Sequence, residues 1–119
     1  MPQPVVHFEI SVTNLTQSNG FYGKLFDWNI SQYPGMDYGM VAATSDKSIG
    51  GGISPIRPGD PLGITIYVQV DDLQAYLDKA TALGGKSIVP PTPIPGIGAF
   101  AMFADPDGNR VGLFKGSQG

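Results

Sequence analysis

The chain carries an internal repeat, in which residues 5–15 are echoed by residues 63–73 at an offset of 58 positions. Both segments alternate in polarity, as a β-strand with one buried face does, and both lead directly into a helix start. Two copies of one small unit that face each other would enclose a cleft between them. The repeat therefore predicts two matching modules, and the differences between the copies indicate what the cleft can do.

Each repeated strand has an apolar and a more polar face. The apolar faces comprise Val6, Phe8, Ile10 and Val12 in the first copy and Ile64, Ile66, Val68 and Val70 in the second. The opposite faces comprise His7, Glu9 and Ser11 in the first copy and Thr65, Tyr67 and Gln69 in the second. We expect the helix after each strand to cover the apolar face, because such a face needs a packing partner. The polar face then borders a solvated or ligand-holding space.

The helices are predicted from their start signals and apolar stripes. The first begins at Asn14, with Gln17 as its capping partner, and its stripe is Leu15, Ser18, Phe21 or Tyr22, and Leu25. The second begins at Asp71–Asp72 and ends at Gly84–Gly85, and its stripe is Leu73, Tyr76 or Leu77, Ala80 and Leu83.

Three short strands are expected after each helix, so that each half is β-α-β-β-β. They lie near Trp28–Tyr33, Tyr38–Ala43 and Gly50–Pro55 in the first half and near Lys86–Pro91, Ala99–Ala104 and Arg110–Lys115 in the second. Prolines at 90, 91, 93 and 95 confine their strand to a sheet edge or end it early. We predict a single domain over residues 1–119, with module one at 4–55, a linker at 54–62 and module two at 63–116.

Composition narrows the class of protein. At 119 residues and 41% hydrophobic content, the chain has enough apolar residues for one core. The net charge of −3, with scattered Lys and Arg, argues against a nucleic-acid partner. Without cysteine there is no thiolate metal site or cysteine nucleophile. No membrane span or signal peptide is visible, so we expect a cytoplasmic protein without a membrane partner.

Three further segments resemble a known superfamily. They are Val5–Ile10 with its early His, Phe21–Trp28 (FYGKLFDW), and Phe103–Phe114 with its Asp-Pro-Asp-Gly-Asn hairpin. Together with the repeat, they are similar to the vicinal oxygen chelate superfamily of glyoxalase I, bleomycin-resistance proteins and extradiol dioxygenases. The resemblance implies an α+β fold in which two β-α-β-β-β modules form an open, curved mixed sheet around a cleft. It also implies a homodimer.

The same resemblance implies a test for a metal. Metal-dependent members take His and Glu ligands from the first and last strands of each module. The matching positions here are His7, Thr65, Gly112 and a residue within Ile49–Gly52, so His7 is the only one that fits. Glu9 shares the face of His7, but two ligands fall short of the three or four usual for zinc. We therefore expect no cofactor, with a divalent metal ion as the alternative.

The expected ligand-binding residues are those on the polar faces and beside them: His7, Glu9, Thr65, Tyr67, Trp28, Met40, Phe100 and Met102, with Tyr33 and Tyr38 on or beside the same strands. Aromatic and Met side chains around few polar groups suit a flat, largely apolar organic molecule. We expect Glu9 to be hydrogen-bonded by Tyr67 or His7. The sequence predicts a metal-independent small-molecule binding protein. A metal-dependent lyase, isomerase or dioxygenase, or a cofactorless isomerase that uses Glu9 and His7, is the alternative.

Overall fold

The computed structural model describes residues 2–117, and its internal contacts divide these residues into two compact units. The first unit is His7–Thr65; the second comprises residues 2–6 and 66–117. Each unit contains one helix and a mixed sheet, so the fold class is α+β, as predicted. The element order in each half is β-α-β-β-β.

The first half of the chain contains β1 (Val5–Val12), α1 (Leu15–Phe26), β2 (Ile30–Gln32), β3 (Gly39–Val41) and β4 (Gly50–Pro55). Its strands lie in the order β2-β3-β4-β1. β1 and β4 are parallel, while β3 is antiparallel to both β4 and β2. A parallel pair needs a long crossover connection, and α1, β2 and β3 together supply it here.

The second half repeats this topology with β5 (Ile64–Gln69), α2 (Leu73–Ala82), β6 (Lys86–Ile94), β7 (Gly98–Ala104) and β8 (Arg110–Gly116). Its order is β5-β8-β7-β6, with β5 and β8 parallel and the other pairs antiparallel. The proline-rich β6 lies at the edge, as predicted. It continues through Pro90, Pro91 and Pro93 and ends at Ile94, before Pro95, with register shifts after Ser87 and after Val89.

Both helix starts are confirmed by their caps. The side chain of Asn14 accepts a hydrogen bond from the Gln17 N–H, and that of Asp72 accepts one from the Ala75 N–H. A polar N-cap of this kind satisfies a backbone donor that lacks an intrahelical partner.

The first unit's core lies between α1 and its sheet. Ile10, Val12, Val41 and Ile53 are buried there, with Phe8, Leu15, Tyr22, Trp28 and Ile30 packed against them. The prediction for the covered face of β1 is thus confirmed for Phe8, Ile10 and Val12. The predicted stripe of α1 is wrong in part. Phe21 and Leu25 are exposed, since the helix lies on the short sheet along Leu15 and Tyr22 only.

The second unit's core forms in the same way around α2, with Val70, Leu73, Leu77, Ala101 and Leu113 buried. Two parts of the predicted pattern are wrong. Leu83 is the C-cap residue rather than a core residue, and it is exposed. Ile64 and Ile66 are also exposed, because β5 pairs with β8 only from Tyr67 onward.

Candidate functional site

The candidate site lies on the sheet face of the first unit that points away from α1, which we call the polar face. His7 and Glu9 project from β1 on this face, since Phe8 and Ile10 between and beside them pack into the core. Glu9 is level with Gly52 of β4, and Gly52 is level with Met40 of β3. These three positions form one row across the sheet, because residues in register share a face.

Tyr38 joins the two polar side chains of β1. Its hydroxyl lies 2.8 Å from His7 Nε2 and donates a hydrogen bond to Glu9 Oε2 at 3.1 Å. Because the single hydroxyl proton goes to Glu9, the Tyr38 oxygen accepts from His7, which assigns the proton to Nε2. A half-buried carboxylate requires a hydrogen-bond donor, and Tyr38 is one donor to Glu9.

Burial lowers the pKa of His7 below its ordinary value of 6.5, because the charged imidazolium loses solvation. His7 is therefore neutral at physiological pH. A neutral imidazole with its proton on Nε2 fits the donor role toward Tyr38.

The glycine run of β4 is explained by what lies over it. A Cβ at Gly51 would collide with the ring of Phe8 on the core face, and one at Gly52 would collide with the ring of Tyr38 on the polar face. A Cβ at Gly50 would lie 3.0 Å from the Val41 carbonyl oxygen. A glycine inside a strand often marks a close backbone approach, and this is the case at Gly50, whereas aromatic side chains crowd the other two positions.

The second unit repeats this row. Tyr67 of β5 is level with Gly112 of β8, and Gly112 is level with Met102 of β7. The Tyr67 ring lies over Gly112, where a Cβ would collide with it. Phe100 lies two residues from Met102 and therefore on the same face of β7. Gly112, and Gly52 at the matching place in the first unit, are thus glycines beneath a tyrosine ring.

The remaining predicted site residues have different surroundings. Trp28 packs among the rings of Phe8, Tyr22 and Phe26 at centroid distances of 5.7, 5.6 and 5.1 Å. It therefore belongs to the helix-covered core and does not line the polar face. Thr65 is half-buried on β5.

The donors present do not fit a family-type divalent metal ion. On the polar face, β1 offers His7 and Glu9, but the level position on β4 is a glycine covered by Tyr38. His7 Nε2 is already within hydrogen-bond distance of that phenol. Across residues 2–117, no group of three or more His, Cys, Asp or Glu side chains is arranged to hold a metal ion.

Sequence reasoning placed Tyr38 beside the cleft-lining strands but did not pair it with His7 and Glu9. Its position two residues before Met40 places both side chains on one face of an extended segment. Its contacts with β1 span 31 and 29 positions along the chain. The register of β3 against β4 brings them together, and no local pattern reveals that register.

The paired β-α-β-β-β topology and the matched rows define a two-module fold of the vicinal oxygen chelate type. The family model described as Glyoxalase/Bleomycin resistance protein/Dioxygenase superfamily matches residues 5–113. The chain therefore belongs to the glyoxalase/bleomycin resistance protein/dioxygenase superfamily.

Similar proteins include the "Putative glyoxylase CFP32" of Mycobacterium bovis, 40% identical over 68% of this chain and 31% of that protein. The anthracycline biosynthesis protein DnrV of Streptomyces peucetius is 27% identical over 93% of this chain and 48% of its own length. The chain thus spans less than half the length of the curated relatives it matches. Among solved structures, a methylmalonyl-CoA epimerase variant of Streptomyces coelicolor superposes with a TM-score of 0.72 at 14% identity, covering 98% of this chain and 96% of that one. This structural likeness concerns the fold alone.

Neither helix within residues 2–117 has the length and apolar character needed to cross a membrane.

Proposed function

We propose that the chain binds a small, largely apolar organic molecule on the polar face of the first unit, without the divalent metal of the superfamily's metal-dependent members. The observation that carries this proposal is the His7–Tyr38–Glu9 network beside Gly52. Three polar side chains are engaged with one another, as in a ligand pocket with few, fixed polar groups. Met40, 40% exposed on the same row, adds an adaptable apolar surface.

The proposal is tested by calorimetric titration with 2-naphthol, a flat neutral molecule with one hydroxyl. We expect saturable binding and a matching rise in melting temperature, because a ligand that binds only the folded state stabilises it. Glu9→Gln should weaken binding, whereas Phe21→Gln, on the exposed part of α1, should not. Equal affinity in the Glu9 variant, or no saturable binding by the wild type, contradicts the proposal.

The second candidate is a cofactorless isomerase that uses Glu9 and His7 for proton transfer. It is favoured by one observation: the Tyr38 hydroxyl connects the imidazole to the carboxylate over 2.8 and 3.1 Å. General acid–base catalysis needs groups within this range of each other and of the substrate. Incorporation of solvent deuterium into a panel of simple ketones, measured by mass spectrometry, tests it. Incorporation that disappears in Glu9→Gln supports the isomerase, and incorporation that persists excludes Glu9 as the base.

We also propose a homodimer, as the family resemblance implies. Sedimentation equilibrium gives the mass directly. A monomer mass across the micromolar range would contradict the homodimer.

A further inference from the structure

Tyr38 and a side chain at position 52 exclude each other. Gly52 is level with Glu9, and a Cβ on Gly52 would fall where the Tyr38 ring and hydroxyl lie. Any larger residue at 52 would push Tyr38 away from both His7 and Glu9. The phenol of Tyr38 therefore occupies the space in which a last-strand ligand would project.

The hydrogen bonds of this network have one direction. The proton on His7 Nε2 points to the Tyr38 oxygen, and the Tyr38 proton points to Glu9. The Tyr38 proton goes to a carboxylate, which only accepts hydrogen bonds when ionised and can accept several. A neutral His7, with its pKa lowered by burial, supplies no positive charge to attract an anion. A ligand that donates a hydrogen bond suits this arrangement, and a carboxylate ligand would be repelled by Glu9.

We propose that Tyr38 is the specificity-determining residue of the polar face, where it replaces the ligand side chain missing at Gly52 and orients His7 and Glu9 toward a neutral, hydroxyl-bearing ligand. This inference rests on the proposed binding function. It adds the chemical class of the ligand: a hydroxyl or phenol on an apolar body, in preference to a carboxylate or a metal ion.

A matched pair of probes tests the selectivity. The molecules 2-naphthol and 2-naphthoate share one apolar body and differ in the polar group. We expect the wild type to bind the naphthol at least about tenfold more tightly, the effect of one well-placed hydrogen bond or one like-charge repulsion. Tyr38→Phe should lose most of this preference, while the control Tyr33→Phe should keep it. A preference for the naphthoate, or one that survives in Tyr38→Phe, overturns the inference.

The role of Tyr38 in positioning His7 can be measured without a ligand. The chain contains a single His, so the imidazole nitrogen signals in a ¹⁵N NMR spectrum belong to His7 alone. We expect the wild type to show the Nε2–H tautomer, Tyr38→Phe to shift both nitrogen signals, and Tyr33→Phe to leave them in place. Unchanged signals in Tyr38→Phe overturn the positioning role. If the signals shift as expected but neither naphthyl probe binds, the proposed binding function fails and the selectivity proposal fails with it, while the hydrogen-bond network stands.

Discussion

At the scale of single residues, the polar face depends on pairs of residues in which a glycine leaves the space that a tyrosine ring fills. Gly52 has no side chain, which leaves space for the Tyr38 ring, and the ring places its hydroxyl between His7 and Glu9. A tyrosine over a glycine recurs at Tyr67 and Gly112 in the second unit. A glycine of the last strand thus lies beneath a tyrosine in both modules, although Tyr67 belongs to β5 and Tyr38 directly precedes β3.

Because Gly52 and Tyr38 share one space, we expect substitutions at these two positions to have strongly non-additive effects on the free energy of unfolding. Gly52→Ala should lower the free energy of unfolding by about 1–3 kcal/mol, because the added methyl group overpacks the site against Tyr38. In a Tyr38→Ala background the same change should cost much less, since the ring is gone. Urea unfolding of the wild type, both single variants and the double variant measures the coupling. Additive effects would show that Tyr38 and residue 52 do not compete for space.

The lowered pKa of His7 predicts how stability depends on pH. The unfolded chain takes up a proton on His7 near its ordinary pKa of 6.5, whereas the folded chain does so only at lower pH. The contribution of neutral His7 to folding stability is therefore present above about pH 6.5, and it is lost as the pH falls below that value. Asp105, whose pKa is lowered mainly by the Asn109 side chain, affects stability only near or below its ordinary 3.8.

Urea unfolding between about pH 7.5 and pH 5 measures this dependence. We expect stability to decline through the window in the wild type and to stay flatter in His7→Gln, which keeps a side-chain N–H donor without the titration. An identical slope in the two proteins would mean that His7 is not the group responsible.

At the scale of elements, the two helices are stabilised differently. α2 buries Leu73 and Leu77, whereas α1 has no buried residue and contains Gly20 in its interior. The stability of α1 therefore depends more on backbone propensity than that of α2 does.

Gly20→Ala should stabilise the protein by about 0.5–1 kcal/mol, because alanine costs less conformational entropy in a helix. No atom lies within 4 Å of a Cβ built there, so nothing opposes the change. The control is Gly35→Ala, at an equally open position with a φ of +78°, where the substitution should destabilise. Chemical unfolding of the two variants measures both changes in stability. A loss of stability in Gly20→Ala would contradict this account of α1.

The sequence predicts this level of structure well, for identifiable reasons. Polarity alternation located β1, capping residues located the starts of both helices, and proline content placed β6 at an edge. Periodicity did not reveal that only part of the α1 stripe meets its short sheet, or that α2 ends before Leu83, so Phe21, Leu25 and Leu83 are exposed. It also could not show that Trp28, beside a predicted strand, turns toward the core. In the candidate site, the sequence identified His7 and Glu9 and placed Tyr38 beside the cleft, and strand register alone showed that the three side chains meet.

At the scale of the whole molecule, one fold has been used twice with different residues at matching positions. The repeat places His7 and Glu9 of the first copy in correspondence with Thr65 and Tyr67 of the second. Only the first copy retains a His and a carboxylate, and a tyrosine network holds both. This asymmetry between the modules supports binding by hydrogen bonds rather than by metal coordination.

The central claim is that Tyr38, and not a metal ion, organises the polar face. Elemental analysis of protein purified without chelator, followed by equilibrium dialysis against zinc, nickel, manganese and iron(II), tests it most directly. We expect the wild type to hold far less than one metal ion per chain. We also expect His7→Gln to take up no less metal than the wild type does. One ion per chain or per pair of chains, lost in His7→Gln, would contradict the account.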